Sequence, residues 1–310
     1  MANELPELSV VVPVYNNSAN LPDLFPALEK AAGPNAELVF VDDRSRDDSW
    51  AQLQAYAKKR PHTQAIRLSR NFGSFTACVA GLSRARGRAA VLISADLQDP
   101  PELIPDLLAH WKAGRQVVLA ARQEREEGLG QRLFSGIYYW ILRRFVFPEM
   151  PKGGFDFVLI DRVVIDAVVQ AAEKNTTLMG LILWLGFDRE VIYYTRRRRE
   201  KGVSMWTLRK KVKYFIDSIL AFSYFPIRVV QWFGLLVAVG GFCHAAYLIT
   251  LKLRSGIPIP GWTAMMVVTL VLGGGNFLVL GVIGEYVWRI LDEVKRRPLF
   301  VVDSVVDNGR

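Results

Sequence analysis

Short apolar runs alternate with amphipathic stretches over residues 8–122. Five of the runs are rich in β-branched residues and read LSVVVPVY, AELVFVDD, TQAIRLSR, AAVLISAD and RQVVLAAR. Stretches with a helical spacing of apolar residues separate them, at 21–32, 48–59, 75–86 and 101–112. Alternation of strands and helices is typical of a doubly wound, mostly parallel sheet with helices on both faces. The pattern therefore predicts an α/β domain.

Two much longer apolar segments follow, at 229–251 and 262–284, and each has 23 residues without a formally charged side chain. About 20 such residues span a bilayer, so the segments predict a transmembrane hairpin. The alternative is a pair of buried helices in a soluble protein, which seldom run so far without a charge. We expect four parts: a catalytic domain at 1–165, juxtamembrane helices at 166–228, the hairpin at 229–288 and a tail at 289–310.

The net charge of +9 is concentrated in one part of the chain. Residues 196–228 contain ten Lys or Arg against two acids, which accounts for +8 of the total. Basic residues flank the hairpin, whereas the loop between its helices carries only Lys252 and Arg254, so both termini are predicted to be cytosolic. No apolar stretch near Met1 resembles a signal peptide. A basic stripe beside a membrane favours lipid headgroups or lipid phosphates over nucleic acid as its partner, and two distant cysteines favour a reducing compartment.

Unusual polar residues stand where the predicted strands end. In doubly wound sheets ligands gather at the carboxyl ends of the strands. The turn after the first strand, PVYNNSANLP, has no glycine, so a dinucleotide fingerprint and a P-loop are both absent there. The residues at these strand ends are Tyr15, Asp42, Asp43, Arg70, Asn71, Asp96 and Arg122.

Six segments in order carry a resemblance to a known family: VVVPVYNN, FVDDRSRDDS, LSRNFGSFTA, SADLQDPPELI, RRRREKGVSMW and GEYVWRILDEVKRRPLF. Together they resemble the family-two GT-A glycosyltransferases that charge polyprenyl phosphate. Within that group the chain is most similar to the bacterial undecaprenyl-phosphate branch with two transmembrane helices, and it is also similar to dolichol-phosphate mannose synthase. The resemblance implies a GT-A domain, amphipathic interface helices and a C-terminal hairpin in the bacterial inner membrane.

The resemblance also implies a divalent cation, Mg²⁺ or Mn²⁺, beside the diphosphate of a nucleotide-sugar donor. Asp96 and Gln98 are the expected ligands because hard cations prefer oxygen. Ser94 stands where the family has the first acid of its Asp-x-Asp motif, and it supplies a hydroxyl without a charge. Asp99 is equally compatible with capping the helix that follows.

Further donor contacts are implied by the same resemblance. Base and ribose are expected at Pro13, Tyr15, Asn17, Asp42 and Asp43, although adjacent acids are also common in turns. The sugar or diphosphate is expected at Ser94, Arg70, Asn71, Arg122 and Arg199. The alternative for the arginine run that includes Arg199 is a solvated or lipid-facing surface.

The acceptor side rests on two later segments. GQRLFSGIYYWILRRF predicts an amphipathic helix with Arg132 and Ser135 on one face, which either lies in the headgroup layer or packs on the domain. The resemblance implies an active-site acid in GGFDFVLIDR, either Asp156 or Asp161. Asp156 better matches the acid of the family's Gly-Asp-Phe motif, although Phe155 replaces the glycine. A lipid phosphate is largely ionised at pH 7, so no strong general base is required.

These observations together predict an inverting glycosyltransferase that moves one sugar from a nucleotide donor onto undecaprenyl phosphate at the cytosolic membrane face. The donor is expected to be UDP-linked, with glucose favoured and mannose or an amino sugar as alternatives. Two other functions stay open. A processive polysaccharide synthase would need a longer membrane region. A catalytically weakened membrane scaffold would agree with Ser94 and Met205, which stand where the family has an acid and a lysine. Small residues on the membrane helices make a homo-oligomer plausible.

Overall fold

The computed structural model describes residues 6–123, 136, 140–151, 153–197, 208–255 and 261–308. The strands are β1 (Leu8–Val14), β2 (Glu37–Asp42), β3 (Thr63–Leu68), β4 (Ala89–Leu92), β5 (Val117–Arg122), β6 (Phe155–Asp161), β7 (Arg189–Tyr194) and β8 (Val302–Asp307). The helices are α1 (Leu21–Ala32), α2 (Ser49–Lys59), α3 (Ser74–Leu82), α4 (Ile104–Lys112), α5 (Arg162–Ala171), α6 (Leu178–Trp184), α7 (Leu208–Phe222), α8 (Phe225–Ser255) and α9 (Trp262–Val294).

The eight strands form one sheet in the order β7-β5-β6-β4-β1-β2-β3-β8. The pairings β1 with β2, β1 with β4, β2 with β3, and β5 with β7 are parallel, whereas β6 and β8 run antiparallel to their neighbours. The prediction of a mostly parallel sheet with helices is confirmed. The five strands expected from the apolar runs all form, and the sequence did not predict β6, β7 or β8.

Helices cover both faces of the central strands, so the middle of those strands is apolar on both sides. Val10, Val12 and Val14 share one core cluster with residues of α1, α2 and α4. On the other face α3 lies so close to the sheet that a Cβ added at Gly81 would overlap the Val11 side chain. Burial on two sides explains why these strands read as continuous apolar runs rather than as alternating ones.

Strand β4 is shorter than expected: it ends at Leu92, whereas the apolar run predicted a strand through residue 96. Its last ladder pair is Leu92 with Val158 of β6, and one further backbone hydrogen bond joins Ile93 N to Val11 O at 3.2 Å. Residues 94–100 therefore form a loop, which a 3-10 turn at Pro101–Leu103 connects to α4.

The chain divides into two compact units. The first contains residues 1–221 together with 298–310, and the second contains residues 222–297. Two stretches of the second unit, Phe225–Leu251 and Val271–Val294, are long and apolar enough to cross a membrane by length and composition, and none of their most apolar window is buried. The sheet of the first unit therefore combines β1 to β7, which precede the second unit in the sequence, with β8, which follows it.

Strand β8 joins the sheet through specific contacts at both of its ends. Arg44 Nη1 lies 2.9 Å from Asp303 Oδ2, and Arg86 Nη2 lies 2.6 Å from Asp307 Oδ2. Between them the side chains alternate: Val306 packs against the core, whereas Val305 is 39% exposed. The strand is thus half-buried, as expected at the edge of a sheet.

This alternation predicts that the same substitution lowers stability much more at Val306 than at the adjacent Val305. Val306→Asp places an unpaired charge against the core, and we expect it to lower the free energy of unfolding by roughly 3 kcal/mol. A loss of that size lowers Tm by about 6–12 °C in a domain of this size. Val305→Asp, on the outer face, is the matched control and should change Tm by no more than about 2 °C. Thermal unfolding followed by tryptophan fluorescence compares them, and equal shifts would contradict the described packing.

Candidate active site

One edge of the sheet collects most of the polar residues expected in the site. The parallel strands β1, β2, β3, β4, β5 and β7 all end there, and the antiparallel strand β6 begins there, since Phe155 pairs with Ala121 near the end of β5. The polar residues that this edge brings together are Tyr15, Asn17, Asp42, Asp43, Arg70, Asn71, Ser94, Asp96, Gln98, Arg122 and Asp156. This is the edge at which doubly wound sheets bind ligands.

The loops after β1 and β2 are joined by side-chain hydrogen bonds. Asn16 N donates to Ser45 Oγ at 3.0 Å, and Arg46 N donates to Asn16 Oδ1 at 2.8 Å. Asn17 Oδ1 accepts from Asn20 Nδ2 at 3.0 Å. The expected donor residues Pro13, Tyr15 and Asn17 are half-buried in this joined region, and their contact with the base or ribose stays a prediction.

The adjacent acids Asp42 and Asp43 are both buried, and both accept hydrogen bonds from backbone N–H groups. Asp42 Oδ1 accepts from Ser45 N at 3.1 Å, and its Oδ2 lies 3.1 Å from Arg67 Nε. Asp43 accepts from Phe72 N at 2.6 Å and from Gly73 N at 2.9 Å, one amide on each oxygen. These contacts support the alternative in which the acid pair shapes the turns, while the role in donor binding stays a prediction.

Arg70 and Asn71 follow β3 on the surface. Both are exposed, and the Arg70 guanidinium carbon lies 4.5 Å from the centroid of the Phe72 ring. That contact holds the guanidinium beside the turn whose amides bind Asp43. An exposed cation next to the site can reach a diphosphate, which is what the sequence predicts for it.

The loop at 94–98 presents the expected metal ligands. Asp96 Oδ1 accepts from Ser94 Oγ at 2.8 Å and from Gln98 N at 3.2 Å. Leu97 between the two ligands has a φ of 57°, a left-handed conformation that is uncommon outside glycine and often found at functional sites.

Two hydrogen bonds hold Gln98 to Arg197, which lies in the segment after β7. Its backbone O accepts from Arg197 N at 3.0 Å, and its Nε2 donates to Arg197 O at 3.4 Å. This orientation of the amide leaves Oε1 as the atom suited to a cation. A carboxylate and an amide oxygen form a donor set that fits Mg²⁺ or Mn²⁺. Among the described residues no group of three or more His, Cys, Asp or Glu could hold a metal, so a cation here would take further ligands from phosphates.

Asp99 does not cap the helix that follows it. The 3-10 turn has Pro100 at its cap position without a side-chain bond. Asp99 is fully buried, with Ser94 Oγ donating to its Oδ2 at 2.8 Å and Arg196 Nε lying 3.4 Å from its Oδ1. The hydroxyl of Tyr194, the last residue of β7, also donates to Oδ1. Capping is therefore the wrong interpretation of Asp99.

Tyr194 and Arg196 are site residues that the sequence did not predict. The only signal for Tyr194 was its place at the end of a strand that was itself not predicted. Burial raises the pKa of the Tyr194 hydroxyl above its ordinary value, the Asp99 carboxylate raises it further, and the positive charge of Arg122 opposes both. The hydroxyl therefore stays protonated and donates to Asp99 throughout the physiological range.

Arg122 and Asp156 form an ion pair across β5 and β6. The contact joins Arg122 Nη2 to Asp156 Oδ2, with the Arg122 side chain 22% exposed and the Asp156 side chain 60% exposed. Asp156 can therefore reach solvent or a substrate while it is held by the arginine. Arg122 is also the cross-strand partner of Tyr194, whose hydroxyl donates to Asp99, so this pair of residues lies between Asp99 and Asp156.

Asp161 lies at the opposite edge of the sheet from Asp156. It pairs with Ala89 at the start of β4, caps α5 through Val163 N at 3.0 Å, and accepts from Trp111 Nε1 at 2.7 Å. It also lines a cavity of about 440 Å³ at that edge. Of the two acids that the sequence left open, the structure brings only Asp156 to the site, because β6 runs antiparallel and its two ends lie at opposite edges.

Three expected residues lie outside the described part of the chain: Arg132 and Ser135 on the acceptor side, and Arg199 on the donor side. Residues 140–145, which end the expected amphipathic stretch, are helical. Leu142 is fully buried there and Trp140 is 57% exposed, so this helical end packs on the domain with one face. Its contact with lipid stays a prediction.

Residues 9–169 match the family model described as glycosyl transferase family 2. The chain belongs to this family. It is 37% identical over 302 residues to the uncharacterized glycosyltransferase YkcC of Bacillus subtilis, a match that covers 96% of this chain and 94% of the relative. It is 34% identical over 300 residues to the SfII prophage-derived bactoprenol glucosyl transferase of Shigella flexneri, covering 96% and 97% of the two chains. The protein is thus a glycosyltransferase.

The solved structures to which the chain is similar are more distant in sequence. The mannosyltransferase PcManGT of Pyrobaculum calidifontis, solved in complex with GDP-Man and Mn²⁺, is 17% identical and gives a TM-score of 0.46 over 63% of this chain and 59% of that chain. The S. aureus TarS fragment in complex with UDP-GlcNAc is 20% identical, with a TM-score of 0.44 over 63% and 60% of the two chains.

A buried cysteine on α3 adds a chemical test of the site's electrostatics. Burial raises the pKa of the Cys78 thiol to about 12, and the carboxylates of Asp156 and Asp43 raise it in the same direction. Only about one thiol in 10,000 is then ionised at pH 8, and the thiolate is the reactive form.

We therefore expect iodoacetamide to leave Cys78 unmodified in the folded protein at pH 8. The Cys243→Ser variant removes the other cysteine, and mass spectrometry after labelling gives the measurement. The same protein unfolded in guanidinium chloride is the control, and there Cys78 should react within minutes. Equal labelling rates in the two states would contradict the described burial.

Proposed function

We propose that the protein transfers a single sugar from a nucleotide-sugar donor to undecaprenyl phosphate, with inversion, at the cytosolic face of a bacterial inner membrane. The donor is UDP-linked and glucose is the favoured sugar. The observation that carries the proposal is one sheet edge that holds both the Asp96 loop and the Arg122–Asp156 pair, in a chain that matches a bactoprenol glucosyl transferase over 96% of its length.

Asp96 and Gln98 would hold the Mg²⁺ or Mn²⁺ ion. A bound divalent cation neutralises charge that develops on the diphosphate leaving group. Arg122 presents a guanidinium fork to phosphate oxygens, a geometry for which arginine is suited. These groups act on the leaving side, where most of the negative charge appears.

The acceptor oxygen needs positioning rather than deprotonation. A phosphate monoester is largely ionised at pH 7, since its second pKa is near 6. A lipid phosphate oxygen forms the bond to the anomeric carbon while the bond from that carbon to the diphosphate breaks, which inverts the configuration. Asp156 is exposed enough to meet the sugar, and its carboxylate steadies the positive charge that develops on the ring.

The connectivity of the chain supports a membrane hairpin. Residues of the first unit come both before and after α8 and α9, and β8 is hydrogen-bonded to β3. This connectivity favours an arrangement in which both ends of the hairpin lie on the same side of the membrane and the number of crossings is even. The basic residues that flank the hairpin favour the cytosolic side.

The activity test uses purified full-length protein with undecaprenyl phosphate and a panel of nucleotide sugars. We expect sugar transfer to the lipid from UDP-glucose and loss of transfer when EDTA is present. A scaffold would transfer nothing to the lipid from any donor, and a processive synthase would release polymer longer than one sugar. Either outcome would contradict the proposal.

Replacing the expected metal ligand gives the sharper version of this test. Asp96→Asn keeps the size of the side chain, removes its charge and replaces one acceptor oxygen with an amide donor. We therefore expect kcat to fall at least about 100-fold, a loss of roughly 2.7 kcal/mol of transition-state stabilisation. Asp106→Asn is the matched control, because Asp106 is an exposed acid on α4. Activity of Asp96→Asn equal to that of the control would exclude Asp96 as a ligand.

The proposed orientation predicts which single cysteines a periplasmic reagent can reach. In a Cys243→Ser background, with Cys78 shielded by burial, a cysteine at Arg254 lies near the loop between the helices and one at Val305 lies on β8. A membrane-impermeant maleimide added to intact cells should label Arg254→Cys and miss Val305→Cys. Lysed cells, in which both should be labelled, are the control, and the reverse pattern would overturn the cytosolic reaction.

A further inference from the structure

One hydroxyl group connects two carboxylates in the metal loop. Ser94 Oγ lies 2.8 Å from Asp96 Oδ1 and 2.8 Å from Asp99 Oδ2. A serine hydroxyl has a single proton, so it can donate to only one of the two acids at a time. The position and charge of Asp99 therefore act directly on the environment of Asp96.

Asp99 itself is held from the other side by β7. Tyr194 donates its hydroxyl to Asp99 Oδ1, and Arg196 Nε lies 3.4 Å from the same oxygen. The Tyr194 ring is buried and packs edge-to-face on Phe157, with the ring centroids 6.2 Å apart and the planes at 85°. Phe157 follows Asp156 by two residues on β6, so the tyrosine is fixed to the strand that carries the acceptor acid.

The same tyrosine is the cross-strand partner of Arg122 in the ladder of β5 and β7, and Arg122 pairs with Asp156. A series of polar contacts, joined between Tyr194 and Arg122 by strand pairing, thus runs from the expected metal ligand to Asp156. In order, its members are Asp96, Ser94, Asp99, Tyr194, Arg122 and Asp156. Four strand ends, those of β4, β5, β6 and β7, contribute to it.

We propose that Asp99 and Tyr194 are positioning residues that hold the metal ligand Asp96 at a set place relative to the Arg122–Asp156 pair, and that Ser94 is the link between Asp99 and Asp96. This inference rests on the proposed function and deepens it. Ser94 has no charge with which to ligate the cation as an acid would. Its hydroxyl instead keeps Asp96 in place relative to Asp99.

Removal of one oxygen atom tests the proposal. Tyr194→Phe keeps the ring, its packing on Phe157 and the β7 ladder, and it removes the hydroxyl that holds Asp99. Tyr193→Phe is the matched control, because Tyr193 precedes it on the same strand, is 53% exposed, and loses the same atom. Both variants are studied as full-length protein in lipid nanodiscs.

Binding of Mn²⁺ in the presence of UDP, measured by the EPR signal of free Mn²⁺, gives a readout that does not depend on turnover. Loss of a residue that orients a metal ligand typically costs 10- to 100-fold in affinity or activity. We expect Tyr194→Phe to weaken Mn²⁺ binding about 10-fold and to lower kcat for lipid glycosylation about 10-fold or more. Tyr193→Phe should match the wild type in both measurements.

Ser94→Ala supplies the second variant. It should weaken Mn²⁺ binding to a similar degree, and because it breaks the same series of contacts, the double variant Ser94→Ala with Tyr194→Phe should be no weaker than the weaker single variant. Thermal unfolding accompanies each protein. If Tyr194→Phe fails to fold, Ser94→Ala alone must still weaken Mn²⁺ binding.

The possible results separate this inference from the function on which it rests. Wild-type protein that binds Mn²⁺ with UDP and glycosylates the lipid, while Tyr194→Phe behaves like Tyr193→Phe, would overturn the inference alone. Additive effects in the double variant, or an unchanged Ser94→Ala, would overturn the link through Ser94. Wild-type protein that neither binds Mn²⁺ with UDP nor transfers sugar would overturn the proposed function and the inference with it.

Discussion

Burial of the central strands on both faces is the constraint on which the site depends. Helices cover β1, β2 and β4 from two sides, so a polar side chain in the middle of these strands would lose its hydration without a partner. Polar groups are therefore restricted to the strand ends, where loops leave room for them. The acids and arginines of the site lie together because the interior of the sheet excludes them.

Buried acids lie at both of the edges formed by the strand ends. At the edge away from the site, Glu37 accepts from Ser9 Oγ at 2.6 Å, Gln64 Nε2 at 2.8 Å and Arg86 N at 2.7 Å, and it pairs with the Arg86 guanidinium. At the site, Asp96 and Asp99 share one hydroxyl. A carboxylate held by several donors has a structural role, which we propose for Asp99 as well, while Asp96 is the acid proposed to bind the cation.

The residue pattern predicted the five parallel strands, the long apolar helices and the polar edge, because each depends on local periodicity or on strand direction. It did not predict β6 or β8, since insertion of an antiparallel strand depends on partners distant in sequence. The choice between Asp156 and Asp161 follows from that insertion: five residues of strand span about 17 Å, which separates the two edges. Nor could composition distinguish acids such as Asp43, which bind backbone amides, from acids that bind a substrate.

The pairing of β8 with β3 also determines the order in which the protein can be completed during synthesis. The residues of β8 follow both long apolar helices in the chain, so they leave the ribosome only after those helices have been made. Until then β3 is an edge strand with unpaired backbone groups, and exposed edges invite association with other chains. The first unit thus reaches its final sheet only after both long apolar helices have been synthesised, so completion of the catalytic sheet waits for the segment between its strands.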